Sequence, residues 1–162
     1  MGIFLKDINL KGKTALITGA TKGLGRGAAE AIAEAGGDII AVGRNQSELN
    51  SLGKKIKKLK VKYTSFNCDV NDYNKIKNFI INLKKLDILV NNAGTNIPES
   101  FLNVKEKSLE TILDVNTKAV FNIAQLCANQ IIKLKKKQGS IINVSSIFGL
   151  VAGQKRTVYS MT

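Results

Sequence analysis

Between Thr18 and Gly25 the chain reads Thr-Gly-Ala-Thr-Lys-Gly-Leu-Gly, a glycine-rich turn that follows an apolar run and opens a helical stretch. Glycines let a backbone turn sharply and approach a pyrophosphate, whose charge then meets the free amides and positive dipole of a helix N-terminus. The segment fits TGxxxGxG, and from Gly23 the order Gly-Leu-Gly-Arg-Gly-Ala also fits the GxGxxA dinucleotide fingerprint. It is not a P-loop, which would need Gly-Lys-Ser/Thr where this chain has Leu24-Gly25-Arg26. Triphosphate hydrolysis is therefore disfavoured. A tight strand-to-helix turn without a ligand is the plain structural reading of the same residues.

The next chemical signal is at the end of the second apolar run. An Asp or Glu there would accept the 2'-hydroxyl of NAD, whereas this chain has Gly43-Arg44-Asn45. Arg44 and Lys22 offer two cations where a 2'-phosphate would lie, so NADP(H) is favoured over NAD(H). Each is otherwise an ordinary surface charge.

These residues need a frame that brings loop ends together. The sequence alternates strand and helix: a strand over Lys13 to Thr18, a helix over Gly25 to Ala35, a strand over Asp38 to Val42, and a helix over Gln46 to Lys58 capped near Asn45. A strand over Lys62 to Cys68, a helix over Asp72 to Lys84 and a strand over Asp87 to Val90 follow. Lys105 to Lys136 reads as a long helical region with interruptions, and Ser140 to Ser145 as a fifth strand. The strands are continuous apolar runs such as Ile39-Ile40-Ala41-Val42, the pattern of strands covered on both faces. The expected fold is α/β, a Rossmann-like doubly wound parallel sheet with helices on both faces. Ligands in such sheets bind outside the carboxyl ends of the strands.

Composition sets outer bounds. The 162 residues, 44% of them hydrophobic, fit one domain over 1–162, and one proline with fourteen glycines argues against a disordered or collagenous chain. Cys68 and Cys127 form no CxxC pair, so no metal site is expected and a reducing, cytoplasmic location is the default. No apolar run is long enough to span a bilayer, no signal peptide is evident, and Lys6 stands where a myristoylation motif at Gly2 needs Ser or Thr. The net charge of +13 raises nucleic acid as a partner. Only Arg26, Arg44 and Arg156 are arginines, whereas base reading and bidentate phosphate recognition favour Arg. The clusters Lys54 to Lys62 and Lys133 to Lys137 read as solvated helix faces, so neither nucleic acid nor membrane is the expected partner.

Three further segments carry a resemblance. Asn91-Asn92-Ala93-Gly94 follows the fourth strand, Asn116 stands in Asp114-Val115-Asn116, and Ser145-Ser146 closes the fifth strand, with Ser146 thirteen positions before Tyr159. With TGxxxGxG, in this order, the chain resembles the short-chain dehydrogenase/reductase family, in the branch of ketoacyl-carrier-protein reductases and sugar, steroid and alkaloid dehydrogenases. That resemblance implies hydride transfer between a nicotinamide cofactor and a carbonyl or secondary alcohol. It assigns catalysis to Asn116, Ser146 and Tyr159: Tyr159 exchanges the proton, Ser146 hydrogen-bonds the substrate oxygen, and Asn116 holds a water of the proton relay. It assigns cofactor contacts to Thr18, Gly19, Thr21, Lys22, Gly23, Leu24, Gly25, Arg44, Asn45, Asp69, Val70, Asn91, Asn92, Ala93 and Gly94. Asp69-Val70 matches the pair that contacts the adenine.

The departure from the family pattern comes at the end. Tyr159-Ser160-Met161-Thr162 is YxxxK without its lysine. A phenol ionises only near about pH 10, so the family's lysine is what tunes it for work at neutral pH. The resemblance thus implies a C-terminally incomplete domain, inactive alone, from a parent that forms a dimer or tetramer. A non-catalytic dinucleotide-binding or interaction protein is the competing expectation.

Overall fold

The structure, a computed structural model, describes residues 8–135 and 138–162. Gly2, Lys6, Lys136 and Lys137 lie outside the described residues. Five strands form one parallel sheet: β1 (Thr14–Thr18), β2 (Asp38–Gly43), β3 (Tyr63–Asn67), β4 (Ile88–Asn91) and β5 (Ser140–Asn143). Their order is β3-β2-β1-β4-β5, so the chain reverses its direction of travel between β1 and β4. The register sets Ile17 against Ala41 on one side and Val90 on the other.

The helices are α1 (Gly23–Glu34), α2 (Gln46–Lys57), α3 (Tyr73–Ile81), α4 (Glu106–Leu113), α5 (Ala119–Lys133) and the short α6 (Thr157–Ser160). Side chains alternate between the two faces of a strand, and here each face has its own core. Ala15, Ile17, Ile39 and Ala41 pack under α1 and α2 with Ala29, Ala33, Leu49, Leu52 and Ile56. Leu16, Ile40, Val42 and Leu89 pack under α3 and α5 with Ile76, Ile80, Ile123, Cys127 and Ile131. Two helix starts are capped as their residue types dictate: Asn45 Oδ1 accepts from Glu48 N at 3.2 Å, and Asp72 Oδ1 from Lys75 N at 3.1 Å.

Two local readings are corrected. Within the expected helical region, Glu106 to Lys133 is α4 and α5 joined by one π-helical turn, Asp114–Lys118, so the interruption is a widening of the helix and not a break. The fifth strand stops at Asn143 and is not covered on both faces: all four of its residues are exposed. It is one of the two edge strands, β3 being the other and also only partly buried, and α5 packs chiefly on α3 and β4. No helix among the described residues is long and apolar enough to cross a membrane.

Candidate functional site

The carboxyl ends of β1, β2, β3 and β4 open onto one cleft of about 1250 Å³. Gly19, Thr21, Lys22, Gly23 and Leu24 form its floor, Gly43, Arg44 and Asn45 one side, and Asp69, Val70, Asn92, Ala93 and Gly94 the others. Three expected cofactor residues stand behind the wall. Thr18 is 1% exposed, and its Oγ1 accepts from the backbone N–H groups of Asn92 and Ala93, both at 3.0 Å. Gly25 is buried against Asn92. Asn91 is also buried, its Nδ2 donating to Val120 O and to Asn143 Oδ1.

These bonds show why the glycines are needed. A Cβ on Gly19 would stand 2.9 Å from Ala93 Cα, and one on Gly25 would meet Asn92 and the carbonyl of Gly19. The glycine loop and the Asn91–Gly94 segment therefore close on each other, with Asn92 Nδ2 donating to the carbonyls of Thr18 and Gly19. No side chain caps the start of α1, which leaves its first-turn amides free where the loop faces the cleft. Those amides, the positive-φ turns at Gly19 and Gly23, and the size of the cleft fit a dinucleotide with its pyrophosphate on α1.

On the β2 side of the cleft, Arg44 is 79% exposed and its Nη1 lies 3.5 Å from Asp69 Oδ2. Glu48 also lines the cleft, but Arg26 holds its carboxylate at 3.4 Å. Lys22 is exposed beside the loop. Both carboxylates on this side are thus already paired with an arginine, and an anionic ligand would compete with Asp69 for Arg44.

A second recess, about 50 Å³, is lined by Asn116, Ser145, Ser146, Tyr159 and Thr162. Ser146 Oγ accepts from Phe148 N at 3.2 Å, which ties it to the 3-10 turn Ile147–Gly149. The ring of Phe148 packs edge-on to Tyr159 with centroids 6.3 Å apart. Asn116, in the π turn, accepts from Thr95 N at 2.8 Å and donates to Thr95 O and Thr162 Oγ1, each at 3.0 Å. Its amide is largely occupied in holding Thr95, which itself lines the large cleft. Asn116 therefore links the two cavities.

The chain matches the family model described as short chain dehydrogenase over residues 13–162. The chain belongs to the short-chain dehydrogenase family. Its relatives include the 3-oxoacyl-[acyl-carrier-protein] reductase FabG of Rickettsia conorii, 37% identical over 88% of this chain and 57% of that protein. The 2-dehydro-3-deoxy-D-gluconate 5-dehydrogenase of Dickeya dadantii is 35% identical over 98% of this chain and 63% of its own length. A crystal structure of a short-chain type dehydrogenase/reductase from Mycobacterium marinum superposes with a TM-score of 0.90 at 29% identity, covering 99% of this chain and 67% of that one. The chain thus spans about six tenths of the length of the curated relatives it matches.

Several site residues carried no sequence signal of their own. Thr95 and Phe148 matter through what they hold, and each lies one or two positions from a motif, after Gly94 and after Ser146. Cys68, Thr111 and Val115 line the cleft as ordinary strand-end and helix residues.

Proposed function

We propose that the protein carrying this chain is an NADP-preferring oxidoreductase acting on a small carbonyl or secondary alcohol. The observation that supports it is the gathering of Asn116, Ser146 and Tyr159 around one recess joined through Thr95 to the dinucleotide cleft. A bound nicotinamide dinucleotide supplies or accepts the hydride. Within the chain, α1 and its glycine loop bind the pyrophosphate, and Arg44 and Lys22 bind the 2'-phosphate. The Ser146 hydroxyl donates to the substrate oxygen as charge develops on it, and the Tyr159 hydroxyl exchanges the proton with that oxygen. Asn116 positions the loop at Thr95, and Phe148 orients the Tyr159 ring. Phe121, 64% exposed on α5, fits a helix face through which two copies pair.

Two measurements test this reading. NADPH is expected to bind more tightly than NADH, and Arg44→Gln with Lys22→Gln to erase that preference by about tenfold to hundredfold, the range for charged hydrogen bonds. Equal affinities in the unsubstituted chain overturn the NADP assignment. In the longer protein, Ser146→Ala and Tyr159→Phe each lower kcat for carbonyl reduction by at least about a hundredfold with cofactor affinity unchanged. The 162-residue chain is expected to bind the dinucleotide through the same cleft residues.

A further inference from the structure

The fold does something with the net charge of +13 that the sequence order hides. In a parallel sheet every helix-to-strand connection lies at the amino ends of the strands, opposite the ligand cleft. Lys11 and Lys13 precede β1. Lys57, Lys58 and Lys60 close α2, and Lys62 leads into β3. Lys84 and Lys85 stand between α3 and β4, and Lys133 and Lys135 end α5 ahead of β5. All are exposed except Lys85, which is half-buried. Backbone bonds knit this end together: Leu10 N to Ala35 O, Asp38 N to Lys13 O, Ile39 N to Lys62 O and Ser140 N to Asp87 O.

Among the described residues the acids at this pole are Glu34, Asp38 and Asp87. Asp38 pairs with Lys85 at 3.6 Å, and Asp87 is buried. The arginines are elsewhere, at the start of α1, the carboxyl end of β2 and the start of α6. Four gaps of about 4.8 Å between five strands spread the lysines over roughly 20 Å. Complementing helix dipoles accounts for only some of them, since the effect is confined to the last turn. In α2 and α5 those are Lys54, Lys55, Lys57 and Lys133, and α1 and α3 have no basic residue in their last turn.

We propose that this pole is a docking surface for an anionic lipid bilayer. Its apolar content separates that partner from nucleic acid. Ile8, Leu59 and Ile132, 48%, 40% and 71% exposed, stand among the lysines and can enter the interfacial layer. Base stacking and base reading call for exposed aromatics and arginines, and these connections supply neither. Lysines act there as point charges toward headgroups, and the cleft at the far pole stays open to solvent and cofactor.

The test uses the chain with vesicles of phosphatidylcholine, with and without about one third phosphatidylglycerol, in a sedimentation assay. Binding is expected only to the anionic vesicles and is weakened by salt. At about fivefold per lysine, the combined K57Q, K58Q, K84Q and K133Q substitutions weaken it by more than about a hundredfold. Far-ultraviolet circular dichroism and NADPH affinity stay unchanged. Ile132→Ser, an exposed change, is expected to weaken vesicle binding several-fold without altering retention on heparin. Failure to sediment with anionic vesicles at low salt overturns the proposal, as does unaltered binding by the quadruple variant. Duplex DNA that competes the vesicles away at equal charge overturns it in favour of nucleic acid.

Discussion

Thr18 shows how much of the site depends on one hydroxyl. Its Oγ1 accepts two backbone N–H groups of the Asn91–Gly94 segment at a position closed to water. Thr18→Val keeps the shape and leaves both donors without a partner, so stability is expected to fall by about 2–4 kcal/mol in urea unfolding, and Thr18→Ser is expected to recover most of it. The cysteines allow a second check. Burial pushes the Cys127 thiol up to about 12 and raises Cys68 as well, so both are slow to react while folded. Both belong to the core under α3 and α5, and of the two only Cys68 also borders the cleft. NADPH is therefore expected to slow labelling of Cys68 by a thiol reagent, with Cys127 labelled only on unfolding. Equal protection of the two thiols contradicts this placement of the ligand.

At the scale of elements, α1 and α2 are joined by an ion-pair network. Arg26 reaches Glu30 at 3.2 Å and Glu48 at 3.4 Å, and Lys55 reaches Glu30 at 2.7 Å. Burial raises the Glu30 pKa, but the hydrogen bonds and charges of Lys55 and Arg26 outweigh it and hold the carboxyl below its ordinary value. A lowered carboxyl contributes stability that is present above the unfolded-state pKa and is lost as pH falls through the folded one. The Tm advantage of the native chain over Glu30→Gln is therefore expected to be flat above about pH 6 and to shrink below about pH 4.5. The strands and the α2 cap were legible in the sequence because continuous apolar runs and an Asn before a polar turn have direct physical meaning. The π turn at Asp114–Lys118 was not, because one extra residue in a helical turn leaves the composition unchanged. The exposure of β5 was also hidden, since Ile141 and Ile142 read the same at an edge as in the middle of a sheet.

For the whole molecule, the sheet order β3-β2-β1-β4-β5 brings the glycine loop, Arg44, Asp69 and Asn92–Gly94 to one opening, although Gly19 and Gly94 lie far apart in the chain. The motifs pointed to these residues individually. Their division into cleft lining and supporting wall, with Thr18, Gly25 and Asn91 behind the surface, required the packing. The same topology gathers the lysines of the helix-to-strand connections at the opposite pole, so part of the charge read along the chain as scattered helix faces becomes one surface in space. The most direct measurement of the cofactor site is an NMR titration of the isotopically labelled 162-residue chain with NADPH. Saturable shifts are expected at the amides of Gly19 to Gly25, Arg44 and Asn92 to Gly94, with the lysine pole unmoved. An absence of saturable shifts, or shifts confined to residues outside the cleft, would contradict a dinucleotide site built on α1.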